Sequence, residues 1–149
     1  VILFQSSRRF PTLTGYLFEQ ICRLTLQRRP QLALRLLTQR SPIADKEVLS
    51  EARLREILDR SFLEAFIQGP RGIGHEIRLY SQPWGFDLRD IQKEVILWHG
   101  EQDRTVSVAF GRYVAARIPH CQAHFYAEEG HFSLPIKYMR DILSALIEP

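Results

Sequence analysis

The run Val95-Ile96-Leu97-Trp98-His99, closed by Gly100, limits the fold more than any other stretch of these 149 residues. It is apolar without interruption from Val95 to Trp98 and bounded by charged residues and a glycine, the pattern of a strand covered on both faces in a parallel sheet. Parallel neighbours need a crossover, and the downstream sequence supplies one. A helix is expected from about Val108 to Ile118, with Ala109, Tyr113 and Ala116 on one face and Pro119 as its stop. Ala123 to Ala127 reads as a second strand, and Ile136 to Ile147 as a final helix with Ile136, Met139, Leu143, Leu146 and Ile147 turned inward. Strand, helix, strand and helix in that order make a right-handed βαβ unit with one added helix, an α/β arrangement. Two strands do not make a stable sheet of this kind, since three or more are usually needed. The rest of the sheet is therefore expected from residues beyond this chain or from a second copy.

Upstream of Trp84 the periodicity is helical. Leu13, Tyr16, Leu17, Ile21 and Leu24 recur at the spacing of one buried stripe over Thr12–Thr25, and a second short helix is expected over Gln31–Gln39, ending before Pro42. The longest helix is expected to start at Asp45 as N-cap, with Glu47 in its first turn, and to run to Gly69-Pro70 through Leu54, Ile57, Leu58, Phe62, Ala65 and Phe66. Residues 71–81 add another, through Ile73, Ile77 and Tyr80, before the turn-like Gln82-Pro83-Trp84-Gly85-Phe86-Asp87. The chain thus divides into a helical segment, 1–83, and an α/β segment, 84–149.

The content of 45% hydrophobic and 25% charged residues is that of a globular domain, and no apolar run approaches the length of a bilayer span. The first residues lack the basic-then-apolar pattern of a secretory signal, so a cytoplasmic protein is expected. Val1 in place of methionine, followed at once by Ile2, Leu3 and Phe4, leads to the further expectation that the protein begins upstream. Cys22 and Cys121 stand in unrelated contexts and are expected as free thiols. Of the net charge of +3, the excess falls in residues 1–70, which hold 11 Lys/Arg against 7 Asp/Glu. Those arginines alternate with leucines as on a solvated helix face, not as a nucleic-acid-binding tract.

In doubly wound α/β proteins reactive groups gather beyond the carboxyl ends of the strands. Two loops hold that position: His99-Gly100-Glu101-Gln102-Asp103-Arg104-Thr105-Val106 after the first strand, and Glu128-Glu129-Gly130-His131-Phe132-Ser133-Leu134 after the second. One offers a carboxylate and the other an imidazole. A histidine acting as general base needs its second nitrogen held by a carboxylate, which sets the tautomer and stabilises the imidazolium. Gly100 is expected to permit a tight turn and Gly130 to adopt backbone angles forbidden to other residues.

The segments Trp84-Gly85-Phe86-Asp87-Leu88-Arg89-Asp90-Ile91, Val95 to Asp103, and Gly130-His131 resemble the closing half of α/β-hydrolase-fold enzymes. The resemblance covers residues 84–149, and the preceding helices look like the cap inserted in that family. It implies the carboxyl-terminal part of a doubly wound parallel sheet (βαβα) preceded by a helical cap segment. Asp103 would match the triad acid and His131 the triad histidine, with the nucleophile upstream, since the family order is nucleophile, acid, histidine. No Gly-x-Ser-x-Gly occurs in the 149 residues. The implied protein is a cofactor-independent serine esterase-like hydrolase of a small acyl substrate, and this chain is expected to be inactive alone and to associate with itself or with the missing amino-terminal half. Ser107 stands where many relatives have proline.

Competing readings attach to each residue. Asp103 could instead cap the following helix, and Glu101 is a rival carboxylate. Ser133 lacks the strand-to-helix elbow of a nucleophile. His120, Cys121 and His124 would not share one face of a strand, and Gly69, Gly72 and Gly74 lack the strand and the Lys-Ser/Thr of a phosphate loop, so no metal or nucleotide is asked for. Trp84 and Phe86 are candidates to line a substrate pocket, with packing as the alternative. A different class of function, a non-catalytic module binding nucleic acid or a protein through Arg28, Arg29 and Arg35, gives no account of the Asp103 and His131 spacing.

Overall fold

The computed structural model of the chain describes residues 13, 16, 17, 20, 24, 38–65, 71–80 and 82–147. It is a mixed α/β structure with a two-stranded parallel sheet. The expected helix over 31–39 lies almost wholly outside the described residues. Of the helix over 12–25, Leu13, Tyr16, Leu17 and Leu24 are helical, but each is more than half exposed and none lies in a buried stripe. No described helix is long and apolar enough to cross a membrane.

Two compact units divide the chain: Val1–Leu37 with Glu56–Phe86, and Thr38–Arg55 with Asp87–Pro149. The unit holding the sheet therefore also takes in residues well upstream of it. Helix α1, Ile43–Ser50, opens this unit, and α2, Ala52–Ala65, follows after one residue. The expected single helix from Asp45 is thus two helices, and its N-cap is Pro42. The break has a local cause. Ser50 Oγ donates to the Glu47 carbonyl at 2.6 Å, and Glu51 turns extended with its N–H on the Val48 carbonyl. In the other unit α3 spans Arg71–Tyr80, where Leu79 and Tyr80 are exposed.

A short 3₁₀ turn, Leu88–Asp90, is capped by the Asp87 carboxylate and inserts Leu88 into the core. Strand β1 is Val95–Gly100, α4 is Val108–Ala115 and β2 is Cys121–Tyr126. The strands pair in parallel from Val95 with Cys121 to Gly100 with Tyr126. The second strand starts two residues before its expected position, because the Val95 N–H reaches the His120 carbonyl at 2.9 Å and aligns Cys121 with the first residue of β1. The crossover helix is shorter than expected: it ends at Ala115, and Ile118 tucks into the core through a further turn.

The last expected helix is also broken. Helix α5 is Ser133–Lys137, Tyr138 interrupts, and α6 is Met139–Ile147. The Tyr138 ring lies 4.4 Å from that of Tyr126, and burial raises the Tyr126 hydroxyl above its ordinary pKa. The inward face expected for α6 is not inward: Met139, Leu143, Leu146 and Ile147 are between 52% and 80% exposed. Likewise β1 is half-buried along Val95–His99 and not covered on both faces. Among the described residues the sheet is two strands wide, too narrow to cover a full helix stripe. Among the described residues the buried apolar side chains are Ala44, Leu88, Ile118 and Leu134, and α5 packs on both α1 and β1.

Candidate functional site

The carboxyl ends of the two parallel strands are tied together by backbone hydrogen bonds. The Glu101 N–H donates to the Tyr126 carbonyl at 2.9 Å and the Gln102 N–H to the Glu129 carbonyl at 3.0 Å. This closeness explains Gly100. A Cβ there would meet the Glu129 carbonyl oxygen at 2.3 Å and the Gly130 oxygen at 2.7 Å. Gly130 is likewise held for space, since its Cβ would fall 2.4 Å from Asp45 Oδ1. Neither glycine has a positive φ, so the expectation that Gly130 needs forbidden angles is corrected. Among the described residues only Gly85, at φ +77°, does.

The acid loop is organised by Asp103 itself. Its Oδ1 accepts the backbone N–H groups of Thr105 at 2.7 Å and Val106 at 2.8 Å, a carboxylate turn closed within the loop. It does not cap the helix that follows. Ser107 does, accepting the Ala109 N–H at 3.3 Å. Oδ2 is left over, and it sits 2.8 Å from His131 Nδ1. A carboxylate only accepts, so Nδ1 carries the proton. Nε2 has no hydrogen-bond partner among the described residues. The Asp103 side chain is 7% exposed and that of His131 38%, so the acid is enclosed while the imidazole keeps an open edge. Phe132 braces the imidazole edge-to-face at 5.2 Å.

The rival carboxylate is otherwise engaged. Glu101 pairs with Arg112, whose guanidinium also lies over the Phe125 ring. Ser133 is fully buried and its Oγ accepts the Gly130 N–H at 2.8 Å, the environment of a turn-closing hydroxyl and not of a nucleophile. Glu129, also buried, receives Lys137 Nζ on Oε1 at 3.1 Å, whereas its Oε2 has no hydrogen-bond partner among the described residues. Trp84 and Phe86 belong to the Glu56–Phe86 unit, where they stack on each other at 5.7 Å across Gly85, each about half exposed. His120 precedes β2, and Cys121 and His124 fall on opposite faces of it. No group of three His, Cys, Asp or Glu among the described residues is placed to hold a metal. Arg28, Arg29 and Arg35 lie outside the described residues.

One residue that sequence reasoning placed elsewhere meets this site. Asp45, expected as an N-cap, lies inside α1 at 1% exposure. Its carboxylate accepts three consecutive backbone N–H groups, from His131 at 3.1 Å, Phe132 at 3.0 Å and Ser133 at 2.8 Å. No local pattern announces a partner 86 residues away. The one sequence sign is a carboxylate beside the apolar Pro42-Ile43-Ala44, and a helix cap explains that equally well.

No protein-family model, no curated protein and no solved structure matches the chain.

Proposed function

We propose that this chain supplies the acid and the histidine of a Ser-Asp-His triad in a hydrolase of the α/β-hydrolase type, acting on an ester or similar acyl bond. The observation that carries the reading is the 2.8 Å contact between an enclosed carboxylate, Asp103, and a half-exposed imidazole, His131, at the ends of two paired parallel strands. In this reading the strands belong to the carboxyl-terminal part of a doubly wound sheet, the helices before residue 84 form a cap segment, and the nucleophile is a serine outside these 149 residues.

The chemistry follows from the proton positions. With Nδ1–H donated to Asp103, the Nε2 lone pair takes the proton of a serine hydroxyl as its oxygen attacks the acyl carbon. The imidazolium so formed is stabilised by Asp103 and returns the proton to the departing alcohol, leaving an acyl-enzyme. Water then repeats the sequence, giving the acid and restoring the serine. Turnover of a short activated ester by the protein that includes the nucleophile tests this. His131→Ala should lower kcat on the order of 10²- to 10⁴-fold. Unchanged turnover would remove the triad assignment.

A further inference from the structure

We infer that Asp45 is a positioning residue for His131, and that α1 is a brace joining the acid loop to the histidine loop. The inference rests on the proposed triad for its catalytic meaning, but its geometry stands without it. The N–H groups of His131, Phe132 and Ser133 lie just before and at the first residue of α5, where backbone donors have no acceptor within the helix. The N-cap residue is Phe132, which has no side-chain acceptor and makes no cap bond. The carboxylate comes instead from another helix. Asp45 Oδ1 is shared by Phe132 and Ser133, and Oδ2 takes His131.

Bonds from N–H to a carboxylate are charge-assisted and stronger than neutral ones. Three on consecutive amides fix the peptide planes from Gly130 to Ser133, and hence the direction in which the His131 side chain leaves the backbone. His131 is therefore gripped twice, at its backbone by Asp45 and at its ring by Asp103. Gly130 gives Asp45 room to approach, and the Gly130 N–H to Ser133 Oγ bond closes the turn from within. A second tie points the same way. Arg104, next to Asp103, donates from Nη1 to the Arg40 carbonyl at 3.0 Å, just before α1. One short segment, Arg40 to Asp45, thus holds both loops.

The test is histidine NMR on the ¹³C,¹⁵N-labelled 149-residue chain, with His131 assigned through His131→Gln. His99 provides an internal reference, because its Nε2–H donates to the Val106 carbonyl at 3.1 Å inside the acid loop. In Asp45→Asn, Oδ1 is kept for Phe132 and Ser133 but an amide NH₂ faces the His131 N–H. The hydrogen-bonded Nδ1–H signal of His131 should be lost and its backbone amide should exchange at least about 10-fold faster, with the His99 signal unmoved. Gly130→Ala, which displaces the carboxylate without removing it, should give the same selective loss. In the unsubstituted chain, couplings across the hydrogen bonds from the Asp45 carboxyl carbon to the three amide nitrogens should be present. A persistent His131 signal in either folded variant, joint loss of the His131 and His99 signals in both, or missing couplings would each overturn the inference. Ester turnover is a separate readout: its absence would remove the reaction and leave the brace, whereas loss of the NMR selectivity would remove the brace and leave the reaction.

Discussion

Gly100→Ala should destabilise the sheet-bearing unit by about 2–5 kcal/mol. The new methyl would lie 2.3 Å from the Glu129 carbonyl oxygen and 2.7 Å from both the Glu129 carbonyl carbon and the Gly130 oxygen, where ordinary contact begins at 3.4 Å. All three atoms are backbone, so no side chain can swing aside. The histidine loop must retreat by about 1 Å, an overpacking strain of roughly 1–3 kcal/mol. The same movement stretches the Gln102 N–H to Glu129 bond from 3.0 Å. At about 4 Å it no longer counts as a hydrogen bond, a loss of about 1 kcal/mol, with the neighbouring Glu101 bond strained alongside it. Gly72→Ala is the control: nothing lies within 4 Å of its Cβ position in the exposed α3, and it should gain about 0.5–1 kcal/mol. Urea unfolding followed by far-ultraviolet circular dichroism separates the two through the midpoint and slope. A Gly100→Ala midpoint equal to that of the unsubstituted chain, or an equal loss from Gly72→Ala, would refute the close-approach reasoning.

Other outcomes follow from the same geometry. Arg89 bonds the Asp87 carboxylate through side chain and backbone, lowering its pKa from 3.8 to about 2, so the favourable contact is fully present above the ordinary carboxylate value and is lost as pH falls towards 2. Carboxyl ¹³C titration should show this, and Arg89→Gln should return Asp87 towards 3.8; no movement on that substitution would contradict the cause assigned. The 149 residues alone, with no Gly-x-Ser-x-Gly, should show no His131-dependent ester cleavage, and measurable cleavage abolished by His131→Ala would be incompatible with an outside nucleophile. The exposed Met139, Leu143, Leu146 and Ile147 should make the chain associate in sedimentation, and Leu146→Lys with Ile147→Lys should shift it towards monomer. A monomeric unsubstituted chain at high concentration would count against this.

The parts legible in the sequence were those written in neighbouring residues. The apolar run at Val95 marked β1, and two loops with one acid and one histidine marked the pair that meets at 2.8 Å. Helix breaks are less visible because they depend on single residues: Ser50 bonds the Glu47 carbonyl where α1 ends, and Tyr138 leaves the helical region, at φ −105° and ψ 18°, where α5 ends. The α6 face turns out exposed because periodicity shows which residues can be buried together, not whether a partner surface is wide enough. Gly100 and Gly130 were visible as glycines, but their reason is the nearness of other backbone and of Asp45, which no local rule encodes. Ser107, a departure from the resembled family, supplies the cap of α4. Asp45 is the least legible of all, since its three partners lie 86 to 88 residues downstream.

That separation bears on the order in which the molecule assembles. Asp103 and His131 close a loop of 28 residues, whereas Asp45 and His131 close one of 86. The longer closure costs about 1 kcal/mol more in chain entropy, enough to favour early pairing of β1 with β2 and late seating of α1. The histidine turn is then the last part of this unit to acquire its final shape. Because loop entropy grows only logarithmically, extra residues inserted between α2 and the 3₁₀ turn would alter that ordering little, so this stretch of chain can vary in length without disturbing the geometry it encloses.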